Sequence, residues 1–461
     1  MNAPFSKQLA AWTSELRFED LPEDVIAATR LRVLDVIGLA LAGAETQFGR
    51  SVRAAALAAA SPGPCRILGT GDRAGVAAAA LANGAFPQAL EYDDTHNESI
   101  VHMSSPAVAA ALALSEVGTI SGKDLITAVA LSNEVSCRVG VVSAGEFHRR
   151  GFHPTALFAP FGVTFLACRL LGLDVQKTAN AAGMCGSFSA GLLECWVDGT
   201  QTKFVHSGWA AQSGIMAAYF GQAGLTGPAA VFEGRFGLFA SHVQDAGARR
   251  DFSRITSGMG THWDSRNASF KPFPAAHVIH PYIDALLRLR TAHSIRVEDI
   301  ESIECPVAAF IVPIVCEPVE EKLAPLSDSH GRVSLQYTLA EAFHQGALGK
   351  SAYASTSLRN PEILALAKRV RYRVDPEFPG PGRFKGTVEV RLKDGRMFQE
   401  VEEHNRGSAE NPMTYDELRA KFDENASGFL SKDQRDLLAN RIGALETLAD
   451  AATLVELAIK H

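Results

Sequence analysis

The 461-residue sequence is poor in the signals that mark several large protein classes. Its seven cysteines, Cys65, Cys137, Cys168, Cys185, Cys195, Cys305 and Cys316, are scattered, and none forms a Cys-x-x-Cys pair. An odd, dispersed set argues against a disulfide framework and for reduced thiols in the cytoplasm. Met1 to Trp12 lacks the basic block and apolar core of a signal peptide. Apolar runs such as Val33 to Ala42 fall short of the roughly 20 residues that cross a bilayer, so no membrane partner is expected. No block of Lys and Arg occurs and the net charge is −7, which argues against nucleic acid as a partner. Gly-x-Gly-x-x-Gly, Walker, His-Glu-x-x-His and Gly-x-Ser-x-Gly elements are missing. That removes the usual signatures of dinucleotide, nucleoside triphosphate, zinc-protease and acyl-serine chemistry. His277-x-x-His280, and His96 with His102, are the available ligand pairs, and no metal is expected.

What is present is an ordinary soluble composition, 47% hydrophobic and 21% charged, in a chain long enough for two or three domains. The pattern predicts a mainly α protein with an α+β part. Leu21-Pro22-Glu23-Asp24 opens a helix with proline and acids in its first turn, where the helix dipole favours them. Its continuation to Leu41 is apolar nearly all round, which predicts enclosure by other helices, with Asp35 as an odd carboxylate inside. Alanine-rich segments recur at 54–60, 76–82, 107–113, 128–131 and 210–218, and small side chains let helices approach closely. After Phe270 the character changes. Ile300 to Val315 is rich in Ile and Val but broken by prolines, which predicts one or two edge strands. Thr387–Leu392, Lys393-Asp394-Gly395-Arg396 and Met397–Val401 read as a hairpin turning on Asp-Gly. Thr414-Tyr415-Asp416-Glu417 has capping-box spacing and returns the chain to helix. The expected layout is a large helical domain built from both chain ends, 1–269 and 405–461, with 270–404 inserted as a smaller α+β lid.

Chemistry concentrates between Glu91 and His102, where four carboxylates, two histidines and a threonine lie between apolar helical segments. Carboxylates are rarely buried unless paired, so such a cluster reads as an active-site lip; the plain alternative is Asp94 or Thr95 capping the next helix. Lys203 stands alone among apolar residues, glycine and hydroxyls, as a lowered-pKa base or a point charge for a carboxylate. His153 precedes the helix that begins near Pro154, where the dipole favours a neutral imidazole. Lys271 and His277 fall at the predicted domain boundary, a preferred place for clefts, and His280 reads as an anchor for the following helix.

Asn83-Gly84, Leu90-Glu91-Tyr92-Asp93-Asp94-Thr95-His96 and a histidine seven residues after Thr95 resemble the signature of the MmgE/PrpD family. Gly151–Thr155, Gly199–Ala211, Leu225–Gly237, Lys271–Pro281 and Asn411-Pro412 follow in the family's order. That family includes 2-methylcitrate dehydratase, cis-aconitate decarboxylase and iminodisuccinate epimerase. The resemblance implies a cofactor-free homodimer with its site between a helical domain and an α+β lid. It implies His102, His153 and Lys203 as catalytic residues and Glu91, Thr95, Lys271 and His277 as substrate-binding ones. Glu91 replaces the commoner Asp, Gln88 the usual His, and Met103 the usual Pro. The implied chemistry is proton removal beside a carboxylate of a small di- or tricarboxylate, with the lysines stabilising an enediolate and His102 and His153 serving as base and acid. Dehydration of a 2-methylcitrate-like acid is the first expectation, epimerisation of an imino- or amino-dicarboxylate the second, and cis-aconitate-type decarboxylation the third. A non-catalytic carboxylate-binding protein is the remaining alternative.

Overall fold

A computed structural model describes residues 3–59, 61–380 and 382–459. The described residues form two large hydrophobic cores, beside two small clusters of four buried residues each. The larger is helical and draws on residues from Leu9 to Ala268 and again from Phe422 to Ala458. The smaller draws on Phe273 to Leu392 and joins helices to a four-stranded sheet.

The Glu23–Ala44 helix starts behind Pro22, with Glu23 and Asp24 in its first turn, and is buried from Arg32 to its end. Such a helix has no polar face to give to water, so neighbours must surround it. One of them is the Tyr415–Ala426 helix, which arrives from the far end of the chain behind a complete Thr414/Glu417 capping box. Lys421 on that helix meets Asp35 at 2.8 and 3.0 Å, which accounts for the carboxylate inside the apolar run.

The Val76–Ala85 and Thr202–Gln222 helices cross almost backbone to backbone. A Cβ on Gly208 would stand 2.1 Å from the Leu81 carbonyl oxygen, and one on Gly84 3.1 Å from Gly208 Cα. This crossing fixes where the segment ending at Glu91 sits against the helix start carrying Lys203. Gly208→Ala is expected to destabilise the protein by about 1–3 kcal/mol through overpacking. A thermal midpoint equal to that of the unsubstituted protein would show that the helices can separate freely.

The sheet has the order Val370–Val374, Ile300–Val307, Gly386–Leu392, Met397–Glu402. The Asp-Gly hairpin is as expected, with Arg391 paired to Met397 across the turn. The 300–315 segment differs from expectation. It supplies one strand, and that strand is interior, parallel to 370–374 and antiparallel to 386–392. Pro306 is tolerated because pairing with 386–392 stops at Glu304, leaving Pro306 a neighbour on one side only. The remainder, to Cys316, is short helical turns.

Candidate active site

A cavity of about 650 Å3 opens where the two cores meet, and it is lined by Glu91, Thr95, His102, His153, Lys203, Lys271 and His277. All seven residues singled out in the sequence therefore face one space.

Local backbone explains how they reach it. A 3-10 turn, Phe86–Leu90, ends on Glu91 in the left-handed region at φ 51°. Ile100, also on the cavity wall, has φ 58°, a costly conformation for a β-branched residue. Strain of this kind clusters at functional sites. Thr95 and His96 pair antiparallel with Ser269 and Ala268, which delivers Lys271 beside Glu91. The His102 amide donates to Thr155 Oγ1 at 2.9 Å, tying this loop to the Pro154–Leu170 helix. His153 caps that helix and donates its amide to the Gly191 carbonyl at 3.0 Å.

Glu91 is the hub. Lys203 Nζ lies 2.6 and 2.5 Å from its carboxylate oxygens, and Lys271 Nζ lies 3.2 Å from Oε1 and 3.1 Å from the Glu91 carbonyl oxygen. Burial works to raise the Glu91 pKa, but the two lysines outweigh it and hold it at about 2. Burial lowers the Lys271 pKa even though Glu91 and Asp93 oppose the change. Counted with Glu91 alone, the two lysines carry one excess positive charge, suited to an anionic ligand, while Asp93 faces His102.

His102 is held from behind. Its Nδ1 is 3.0 Å from the Asp94 carbonyl oxygen, 3.3 Å from Asp93 Oδ1 and 3.2 Å from Thr95 Oγ1. The first two can only accept, so Nδ1 is the donor to them and Nε2 is the ring atom left to exchange a proton. Asp93 itself accepts from Gln88 Nε2 at 3.1 Å and Ser105 Oγ at 3.0 Å. Despite the burial that opposes it, the positive field of His102 drives the Asp93 pKa far below the usual carboxylate range. Gln88, one of the departures from the family pattern, therefore positions the carboxylate behind His102. Asp94 takes Ser104 Oγ at 2.6 Å and Arg32 at 3.3 Å, so it braces the start of the next helix, although the N-cap position there is Met103 and neither Asp94 nor Thr95.

The helix start predicts a neutral His153, but the main cause is burial, which with His206 and then Lys203 pushes its pKa well below the ordinary histidine value. It is neutral at pH 7, able to accept a proton or offer an N–H, but not to stand as imidazolium. Its Nδ1 is 3.0 Å from Nδ1 of His206, which lies one turn beyond Lys203. His277 is likewise neutral through burial, and its Nε2 is 2.9 Å from Asn405 Nδ2. His280 donates Nε2–H to the Ala275 carbonyl at 3.0 Å and anchors its helix. Among the described residues, no group of three or more His, Cys, Asp or Glu is placed to hold a metal, and no helix is long and apolar enough to cross a membrane.

Sequence reasoning passed over Asp93, His206 and Asn405, and noted Gln88 only as a departure from the family pattern. Asp93 lay inside the polar stretch, but nothing in a linear run tells which carboxylate backs a histidine. His206 carried a signal in its helical spacing from Lys203. Asn405 carried none, because it meets His277 only through the return of the chain from the hairpin.

The buried histidines predict acid sensitivity. His153, His277 and His280 all have folded pKa values depressed by burial. The unfolded chain takes up protons at these sites below about pH 6.5, so their contribution is complete above that pH and is lost as pH falls. Asp35, raised to about 6 by burial, acts in the opposite sense between pH 6 and its ordinary range, offsetting only part of the loss. The thermal midpoint is expected to be level from pH 7 to 8 and to drop from pH 6 to 5. A level midpoint down to pH 5 would contradict neutral burial.

These features define a class: a mainly helical protein whose two large cores share a cavity lined by paired lysines and imidazoles. The MmgE/PrpD N-terminal domain model matches residues 7–251, and the MmgE/PrpD C-terminal domain model matches residues 273–444. The chain belongs to the MmgE/PrpD family. It is 26% identical over 470 residues to cis-aconitate decarboxylase of Aspergillus terreus, covering 98% of this chain and 95% of that protein. It is 26% identical over 464 residues to cis-aconitate decarboxylase of Mus musculus, covering 98% and 93%. A cis-aconitate decarboxylase-like protein, oryM, of Aspergillus oryzae is 26% identical over 467 residues, covering 98% and 96%.

Proposed function

We propose that this protein is a lyase of a small polycarboxylate, working without a cofactor. The observation that carries the reading is the convergence of Lys203 and Lys271 on Glu91, beside His102, in one cavity. A substrate carboxylate meets the excess positive charge there, and the lysines stabilise the negative charge that builds up as the adjacent carbon becomes carbanionic. The names of the relatives favour carbon dioxide as the leaving group. In that reaction the C–C bond breaks, its electron pair enters the neighbouring unsaturated acid as an enediolate, and protonated His102 returns a proton to carbon. Dehydration of a 2-methylcitrate-like acid is the second reading, favoured by the Nδ1–H tautomer of His102. The free Nε2 then removes the proton beside the carboxylate, and hydroxide leaves as water after protonation.

The test is a panel of cis-aconitate, citrate and 2-methylcitrate followed by NMR in deuterated water. Carbon dioxide release supports the first reading, and a new double bond with water loss supports the second. Deuterium wash-in without either product indicates epimerisation. An unchanged spectrum for every acid would sink the lyase reading. We further propose a homodimer in a reducing compartment such as the cytoplasm. Seven free cysteines and the exposed apolar side chains Leu192, Trp209 and Met216 support it, and light scattering at the monomer mass would refute the dimer.

A further inference from the structure

The cavity is larger and far more apolar than a bare polycarboxylate needs. Its lining carries the charged groups Glu91, Lys203 and Lys271, the imidazoles and the Glu146–Arg149 pair. Much of the rest is hydrocarbon: Val278, Phe310 and Ile314 pack against the smaller core, and Phe384, Ile100 and Trp196 also line the cavity. A volume of about 650 Å3 is in the range that encloses drug-sized ligands, roughly 300–1,000 Å3. A six-carbon acid, seated by its carboxylates at the lysines, would leave this apolar wall facing water. Such a wall gains free energy only if the ligand brings a hydrocarbon portion to cover it.

We infer that the substrate is a polycarboxylate carrying an alkyl substituent of several carbons, its carboxylates at Lys203 and Lys271 and its chain along Phe310 and Ile314. The inference rests on the lyase reading for the polar end and adds the class of the substituent. Phe310 and Ile314 are half-buried, sitting in the short helical turns that follow the interior strand. The surface is therefore presented ready to receive a chain. Arg149, paired with Glu146 at 2.8 Å on the cavity rim, is positioned to meet an incoming anion first.

The experiment is calorimetric titration with 2-alkylsuccinates from methyl to hexyl, which cannot undergo either proposed lyase reaction. The dissociation constant is expected to fall by about three- to fourfold per added methylene until the wall is covered. Ile314→Glu is expected to erase that slope, read as the ratio of hexyl to methyl affinity within the variant, and Phe310→Ser is expected to weaken it. A flat series in the unsubstituted protein would overturn the inference. So would an equal slope in Ile314→Glu, because the chain would then lie elsewhere. The two readings fail separately. A steep series with no turnover of any acid overturns the lyase reading and leaves this inference standing. Turnover with a flat series overturns this inference alone.

Discussion

Lys203→Met is expected to lower kcat/KM for the acid that is turned over by about 10^3-fold. The substitution keeps the length of the side chain and removes its charge. Glu91 then faces Lys271 alone, and the excess positive charge that receives a substrate carboxylate disappears. Loss of one preorganised donor at a developing negative charge costs about 10^2–10^3 in kcat, and weaker binding of the ground-state acid adds to it in KM. The variant also leaves a buried carboxylate short of a partner, so reduced stability has to be separated from reduced chemistry. Glu91→Gln combined with Lys203→Met removes both members of the pair. That double variant is expected to recover most of the lost thermal midpoint while staying inactive. Activity within tenfold of the unsubstituted protein in Lys203→Met would show that Lys203 is a strut for Glu91 and nothing more.

The largest effect on stability is expected from Lys421→Met. Lys421 and Asp35 have side chains only 3% exposed, and Lys421 Nζ also donates to the Tyr92 carbonyl at 2.9 Å. Removing one partner of such a pair costs about 3–5 kcal/mol because the other charge is left buried. Even with Lys421 in place, burial already raises the Asp35 carboxyl to about 6. Without it the folded pKa climbs further above the unfolded value. A carboxyl raised in this way contributes most below its unfolded pKa and loses its contribution as pH rises through the folded one. The deficit of the variant is therefore expected to shrink as pH is lowered from 8 toward 5. Thermal unfolding at several pH values reads this directly, and a deficit independent of pH would show that lost packing, not the unpaired carboxylate, is responsible. Tyr92 adjoins Glu91, so a fall in activity is expected alongside. Replacing both partners, Asp35→Leu with Lys421→Met, is expected to restore much of the stability, since apolar pairs of similar volume often match buried ion pairs.

Much of this protein is readable from its residues in order. The apolar run from Val33 to Leu41, the proline and acids ahead of it, the alanine-rich segments and the Asp-Gly hairpin each obey local rules of propensity, period and turn chemistry. They yield a helical body with an α+β part without reference to anything distant. The residues that line the cavity were visible for a related reason: charge is costly to bury, so carboxylates, histidines and lone lysines embedded in apolar sequence stand out.

Partnership was decided elsewhere. Glu91 meets Lys203 across 112 residues and Lys271 across 180, and Lys421 meets Asp35 across 386. The left-handed turn at Glu91 sends this carboxylate into the cavity, while Asp93 backs His102 and Asp94 serves the following helix. In the linear run those three acids are equivalent. The neutral state of His153 was expected from a helix dipole, yet burial is its main cause, and burial belongs to the assembled cores. The interior position of Ile300–Val307 depended on where a neighbouring strand stops, which no local pattern encodes. Short-range sterics and hydrophobic period thus set the elements and the cast of polar residues. Desolvation and Coulomb energy act through space between residues far apart in the chain, so pairing and protonation were fixed only when the chain had folded.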